Sequence, residues 1–143
     1  MQAIREETLV TQTTMIPDTF MDLLTTKRAF AHLATIMPNG TPQVTPVWFD
    51  WDGTYIRVNS ARGRQKDRNM RRVRYVALSI QDPENPYRYI ALRGPVVEIT
   101  EEGADAHIDS LARKYTGADY GGRQPGEVRV IFKILPEHVT TMG

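Results

Sequence analysis

Between Ala29 and Ser60 the chain reads AFAHLATIM, PNG, TPQVTPVWFDW, DG, TYIRVNS, and this stretch decides the fold. Ala29 to Met37 has the character of a strand and ends at Pro38-Asn39-Gly40; Asn-Gly between two strand-like runs is the strongest short-range hairpin signal. Gln43 to Trp51, rich in Val, Thr and aromatic side chains, supplies the partner strand. Asp52-Gly53 makes a second tight turn, and Thr54 to Ser60 is a third strand carrying Tyr55, Ile56 and Val58. Three meander strands in succession predict a barrel or a sandwich.

The flanks extend this pattern. Upstream, Pro17-Asp18 opens a short helix with Phe20, Leu23 and Leu24 as its apolar face, after a polar leader over residues 1–14 that reads as loosely ordered. Downstream, Arg64 to Arg72 favours a helix, with Met70 its only large apolar residue. Val73 to Gln81 is a fourth strand, residues 82–86 a loop, and Tyr87 to Thr100 a long fifth strand. Proline cannot donate to a ladder, so Gly94-Pro95 marks a bulge, a corner or an edge. In Glu101 to Tyr115 the residues Ala104, Ile108, Leu111, Ala112 and Tyr115 form one helical stripe. Thr116 to Gly126, with four glycines, is a flexible loop; Glu127 to Leu135 is a sixth strand with Val128, Val130, Phe132 and Ile134 on one face. Residues 15–143 thus read as a single α+β domain, mainly β with short helices. A closed or split six-stranded antiparallel barrel is favoured because closure removes the exposed edge.

Composition narrows the chemistry. The chain has 143 residues, 41% hydrophobic and 24% charged, and no cysteine. A disulfide framework, a cysteine zinc site, an iron–sulfur cluster and a thiol nucleophile are therefore excluded. No apolar run reaches the ~18 residues of a membrane helix, and the leader lacks an apolar signal core, so a cytoplasmic soluble domain is expected. His32, His107 and His138 are far apart in sequence, and each reads as structural rather than as a metal ligand. There is no Gly-x-Ser-x-Gly elbow, no Gly-x-Gly-x-x-Gly and no Walker loop.

Charge is concentrated. Residues 62–74 hold seven of the 18 basic residues and only one acid, Asp67, a net +6 in a chain of net +1. Such a band points to a localised anionic ligand, or to a solvated basic face over an acidic neighbour. Its leading edge runs Asn59-Ser60-Ala61-Arg62-Gly63-Arg64-Gln65-Lys66, where a strand meets a helix N-terminus. A helix start offers free N–H groups and partial positive charge, Arg64 a bidentate fork and Lys66 a point charge.

Taken together, Ala34-Thr35 before Asn39-Gly40, Pro42-Gln-Val-Thr-Pro-Val-Trp48, Ser60 with Arg64-Gln65-Lys66 and Arg68-Asn69-Met70, Pro125-Gly-Glu-Val-Arg-Val130 and Pro136-Glu-His-Val139 resemble the pyridoxamine 5′-phosphate oxidase-like split β-barrels. Within them the chain is most similar to the small deazaflavin (coenzyme F420)-dependent oxidoreductases. The resemblance implies a split barrel of the FMN-binding type and a homodimer with the cofactor at the subunit interface. It implies that Arg64 and Lys66 hold the cofactor phosphate with Asn69 in support. Thr45, Pro46, Val47 and Trp48 would lie along the ring system, and Asn59, Ser60 and Ala61 would approach it by backbone. Tyr87 and Tyr89 would come from the other subunit and are the candidates for proton delivery. The vitamin B6 oxidases carry a C-terminal extension with a substrate-binding arginine motif, whereas this sequence ends at Val139-Thr-Thr-Met-Gly, which points away from pyridoxamine phosphate oxidation.

The expected activity is hydride transfer from reduced F420 to an electron-poor small-molecule acceptor, with no nucleic-acid or membrane partner. FMN is the alternative cofactor, since the same phosphate pair serves either ring. Arg62, Arg68 and Arg71 could meet the carboxylates of the F420 tail. The rival readings are a cofactor carrier without turnover and a barrel binding single-stranded nucleic acid through the basic helix with Trp48, Trp51 and Tyr55.

Overall fold

The computed structural model describes residues 16–143; the leader expected over residues 1–14 lies outside them. After a 3₁₀ turn at Asp18–Phe20 come helix α1 (Met21–Thr25) and strands β1 (Ala31–Ile36), β2 (Pro42–Val47), β3 (Phe49–Trp51) and β4 (Ile56–Ala61). Helix α2 (Gln65–Arg72), strands β5 (Tyr75–Asp82) and β6 (Asn85–Thr100), helix α3 (Ala104–Thr116) and strands β7 (Arg129–Ile134) and β8 (His138–Met142) follow. The strands pair antiparallel in the order β2-β1-β5-β6-β7-β4-β3, with β8 also on β6. The two ends of this order, β2 and β3, are consecutive in the chain and separated by Trp48 alone. The sheet curls into the expected split barrel, with its seam at Trp48.

Two of the expected strand boundaries change for one reason: closure makes a strand leave one neighbour for another. Gln43 to Trp51 is not one strand but two, β2 on β1 and β3 on β4. As an edge strand β2 tolerates Pro42 and Pro46. The long strand β6 does the same at Gly94-Pro95, pairing with β5 as far as Pro95 and with β7 from Val96. Of the three readings open for that pair, it is a corner. A Cβ on Gly94 would lie 1.8 Å from the Leu135 carbonyl oxygen, so only glycine allows this crossing.

Three further expectations are corrected. Residues 82–86 are not all loop: Asp82 pairs with Asn85, and only Pro83-Glu84 turns, braced by Glu84 N–H donating to Asp82 Oδ1 at 2.9 Å. The tail holding His138 is strand β8, paired with Tyr89–Arg93. Its side chains are largely exposed, so it shows no apolar alternation. With β2/β3 divided and β8 added, the strands among the described residues number eight rather than six. Val128 lies before β7 and is exposed, while β7 is buried on both faces.

The reason for the last point fixes the layers. Val130, Phe132 and Ile134 join Leu33, Phe49, Ile56, Val58, Leu78, Ile80 and Ile90 in the barrel core, with Phe20, Leu23, Leu24 and Met70 closing it. Each large side chain so buried contributes about 1.5–3 kcal/mol. The expected apolar stripe of α3, Ala104, Ile108, Leu111 and Ala112, is buried outside the barrel, where α3 packs on β7 and β4. Helix α2 is anchored by Met70 and by the fully buried Asn69, whose Nδ2 donates to Thr35 Oγ1 at 3.0 Å. No helix among the described residues is long and apolar enough to cross a membrane.

Candidate functional site

Strand β4 delivers Asn59 and Ser60 to the start of α2, and the turn between them rests on Gly63 at φ 91°. Asp67, buried in the first turn, accepts the Gly63 N–H at 2.8 Å and the Arg71 Nε–H at 2.8 Å. That single acid therefore holds the turn in place and is consumed by it. Arg64 stands at the N-cap in extended conformation, and its side chain makes no capping bond. The opening N–H groups of α2 are thus left for a ligand.

Three cations converge here. Arg129, on the first residue of β7, is buried; its Nε–H donates to Asn59 Oδ1 at 2.9 Å, and its guanidinium lies 5.1 Å from the Tyr120 ring centre. Arg64 and Arg129 share one carboxylate, each 3.4 Å from an oxygen of Glu127. Lys66 is half-buried and has no carboxylate partner among the described residues. Burial, and then the charges of Arg64 and Arg129, push its ammonium pKa below the ordinary lysine value. Ser60 Oγ, Arg129 NH1 and Glu127 Oε2 are buried without a hydrogen-bond partner among the described residues, the last two facing each other as an ion pair at 3.4 Å. A buried hydroxyl without a partner, beside a cation without a carboxylate, marks a place for an anion, and a phosphate fits this donor set.

These residues line a cavity of about 230 Å³ together with Pro46, Val47 and Trp48 on one wall and Phe30, Ile108, Leu111 and Tyr120 around them. Trp48 stacks on Tyr115 with centroids 5.4 Å apart and planes 6° off parallel, and meets Tyr120 edge-on at 6.3 Å. The Tyr115 hydroxyl donates to the Ala29 carbonyl at 2.6 Å, and burial pushes its pKa up to about 12. The wall is flat, apolar and held from behind, as a planar ring system requires. The loop after α3 is tied down by Arg123, which pairs with Asp105 and Asp109, and it brings Tyr120 to the cavity.

Pro46, Val47, Trp48, Asn59, Ser60, Arg64 and Lys66 are thus brought together. Thr45 and Ala61 lie beside the cavity without lining it; Ala61 accepts the Arg64 N–H at 3.2 Å. Asn69 touches neither Arg64 nor Lys66 by a side-chain bond. It pins α2 to β1, and its Oδ1 accepts from Gln65 Nε2 at 2.8 Å. Tyr87 is 79% exposed, and neither it nor Tyr89 lines the cavity. Arg62 pairs with Glu101, Arg71 with Asp67, and Arg68 donates to the Gly63 carbonyl. Sequence reasoning missed Arg129, Tyr120 and Glu127 as site residues. An arginine leading a strand whose next three residues are apolar was the available signal for Arg129.

Comparison with known proteins shows the family. Residues 16–143 match the family described as pyridoxamine 5′-phosphate oxidase. A solved structure described as an F420 reductase is 37% identical, with a TM-score of 0.79 over 87% of this chain and 98% of that one. A conserved hypothetical protein from Mycobacterium tuberculosis (24% identity, TM-score 0.71, 89% of this chain and 84% of that one) shares the fold. So does the HupZ protein of Group A Streptococcus, at 22% identity and TM-score 0.64 over 89% and 94%. No curated protein matches significantly. The chain belongs to the pyridoxamine 5′-phosphate oxidase family of oxidoreductase-like split barrels.

Proposed function

We propose that the protein is an oxidoreductase that transfers hydride from reduced coenzyme F420 to an electron-poor organic acceptor. The observation that carries the reading is Lys66, a half-buried cation without a carboxylate, set between Arg64, Arg129 and the orphaned Ser60 hydroxyl at the end of an apolar aromatic cleft. The 37% identity to a protein described as an F420 reductase supports the deazaflavin over FMN.

When bound, the deazaflavin supplies the hydride. The chain's own residues do the rest. Arg64, Lys66, Arg129 and the opening N–H groups of α2 hold the phosphate; Pro46, Val47 and Trp48 lie against the ring and exclude water from one face. The acceptor would enter from the open side. No charged acid or base is required there, and Tyr87 or Tyr89 of a partner subunit, or water, would deliver the proton.

The active form in this reading is a homodimer with the cofactor between subunits. An apolar groove of about 550 Å³ on the outer face of β1, β2, β5, β6 and β8, lined among others by Ala34, Val44, Ala77 and Val139, supports a second copy on that face. Val44, 62% exposed there, would be covered by it.

Titrating F420 and FMN side by side into the purified protein tests the reading. Capture of F420 with weak or no capture of FMN, followed by turnover with one of a panel of quinones, unsaturated lactones or nitro-aromatics, is the expected result. A protein purified yellow with FMN would move the assignment to a flavin enzyme on the same barrel. Capture of F420 with no turnover across the panel would leave a carrier.

A further inference from the structure

Behind the phosphate cradle runs a part-buried chain of hydrogen bonds that ends on Arg129 and whose other members, Arg57, Asp50 and His107, the proposed reaction does not use. Arg57 makes a two-point contact with Asp50, Nε to Oδ1 at 2.8 Å and NH2 to Oδ2 at 2.7 Å. The other contact of Asp50 Oδ2 is His107 Nε2 at 3.2 Å. On the far side of the ring, His107 Nδ1 lies 3.1 Å from Asn59 Nδ2. Asn59 Oδ1 then accepts the Arg129 Nε–H at 2.9 Å.

The protonation of this chain is over-determined. Arg129 can only donate, so the Asn59 atom facing it is the oxygen. The opposite atom is the amide nitrogen, which also donates to the Ala104 carbonyl at 2.9 Å. Meeting an N–H donor, His107 Nδ1 must carry a lone pair, so the proton sits on Nε2 and is donated to Asp50. His107 is 5% exposed.

We propose that His107, in its neutral Nε2–H form, is a positioning residue for the anion cradle. With the Ala104 carbonyl it holds the Asn59 amide oxygen towards Arg129. Arg129 is thereby gripped by Nε, which leaves its terminal nitrogens to be shared between Glu127 and an anion. Protonation at Nδ1 would set N–H against N–H₂. The amide would then flip or withdraw, and Arg129 would lose its acceptor. The charged groups around the ring are Asp50 from β3, Arg57 from β4, Arg129 from β7, and Lys114 on its own helix near Asp50; Glu98, Glu102 and Lys133 share the cavity on its outer side. Affinity for the anion should therefore depend on an acceptor at the position of His107 Nδ1, although that atom does not line the cradle.

This inference rests on the cofactor reading above, and its test separates the two. In the full-length protein labelled with ¹⁵N-histidine, the NMR signals of His107 at neutral pH should show a protonated Nε2 and a bare Nδ1. F420 is then titrated into wild type, His107→Asn and His107→Phe. Asn places an acceptor near the position of Nδ1, so His107→Asn should bind within about threefold of wild type. His107→Phe should bind about tenfold more weakly, the equivalent of one weakened charge-assisted bond. A His107 with its proton on Nδ1, His107→Phe binding as tightly as wild type, or His107→Asn binding as weakly as His107→Phe would overturn the proposal and leave the cofactor reading intact. Failure of wild type to take up F420 would overturn both.

Discussion

Two arginine clusters on this molecule do opposite things with the same side chain. At the base of α1, Arg88 donates to Asp22 at 2.6 Å, to Asp82 at 3.0 Å and to the Thr19 carbonyl at 2.7 Å, and its guanidinium covers the Phe20 ring. The guanidinium at Arg88 holds the Asp22 carboxyl below its usual range, and the Glu84 N–H and Arg88 do the same for Asp82. In the cradle, Arg64 and Arg129 share the Glu127 carboxylate, Lys66 has no carboxylate partner among the described residues and is destabilised as a cation, and the Ser60 hydroxyl is buried without a hydrogen-bond partner. Where the charges are matched, they fasten α1 to the β5–β6 turn. Where they are left unmatched, the protein carries a deficit that an anion from outside would fill.

The largest effect should come from removing that deficit. Each of Arg64→Ala and Lys66→Ala should cost the cofactor about 1.5–3 kcal/mol, and the double variant at least about a hundredfold in affinity, with the melting temperature unchanged or raised. Titration beside thermal unfolding reads both quantities. A double variant that binds normally would erase the contrast between the clusters.

Arg88→Ala should give the mirror image, with a lower melting temperature and unaltered cofactor affinity. Its pH dependence follows from the carboxylates. Asp22 and Asp82 have lowered values in the folded chain, so their contribution is complete above the ordinary carboxylate range near pH 4 and is lost as pH falls through the lowered values. The gap in stability between wild type and Arg88→Ala should therefore be wide at pH 7 and narrow below pH ~3. A gap independent of pH would show that Arg88 acts by packing on Phe20 instead.

The smallest effects concern Lys66 alone. Its value is lowered in the free protein and raised by an anion, so cofactor affinity should be complete at neutral pH and decline as pH rises through the lowered value. Lys66→Arg, which stays charged, should abolish that alkaline decline. Lys66→Met should unfold at a slightly higher temperature than wild type, because a disfavoured cation has been removed.

What could be read in advance divides along the same line. Local signals carried the hairpin at Asn39-Gly40, helix α3 and an interruption at Gly94-Pro95, though not that it is a corner, because turn chemistry and helical period are set by adjacent residues. The break at Trp48 was invisible, since apolar and aromatic residues continue through it and only closure of the sheet divides them. Strand β8 was invisible because its side chains are exposed and its partner is some fifty residues away. Arg64 and Lys66 were legible from their place at a helix start. Arg129, Glu127 and the Asp50–His107–Asn59 chain were not, because the fold alone brings β3, β4, α3 and β7 to one point.

A crystal structure of the protein with F420 would test the central claim most directly. The phosphate should lie against Lys66 Nζ, the Arg64 and Arg129 guanidinium groups and the first N–H groups of α2, with the ring along Pro46, Val47 and Trp48. A deazaflavin bound with its phosphate remote from Lys66, and those cations turned to solvent, would contradict it.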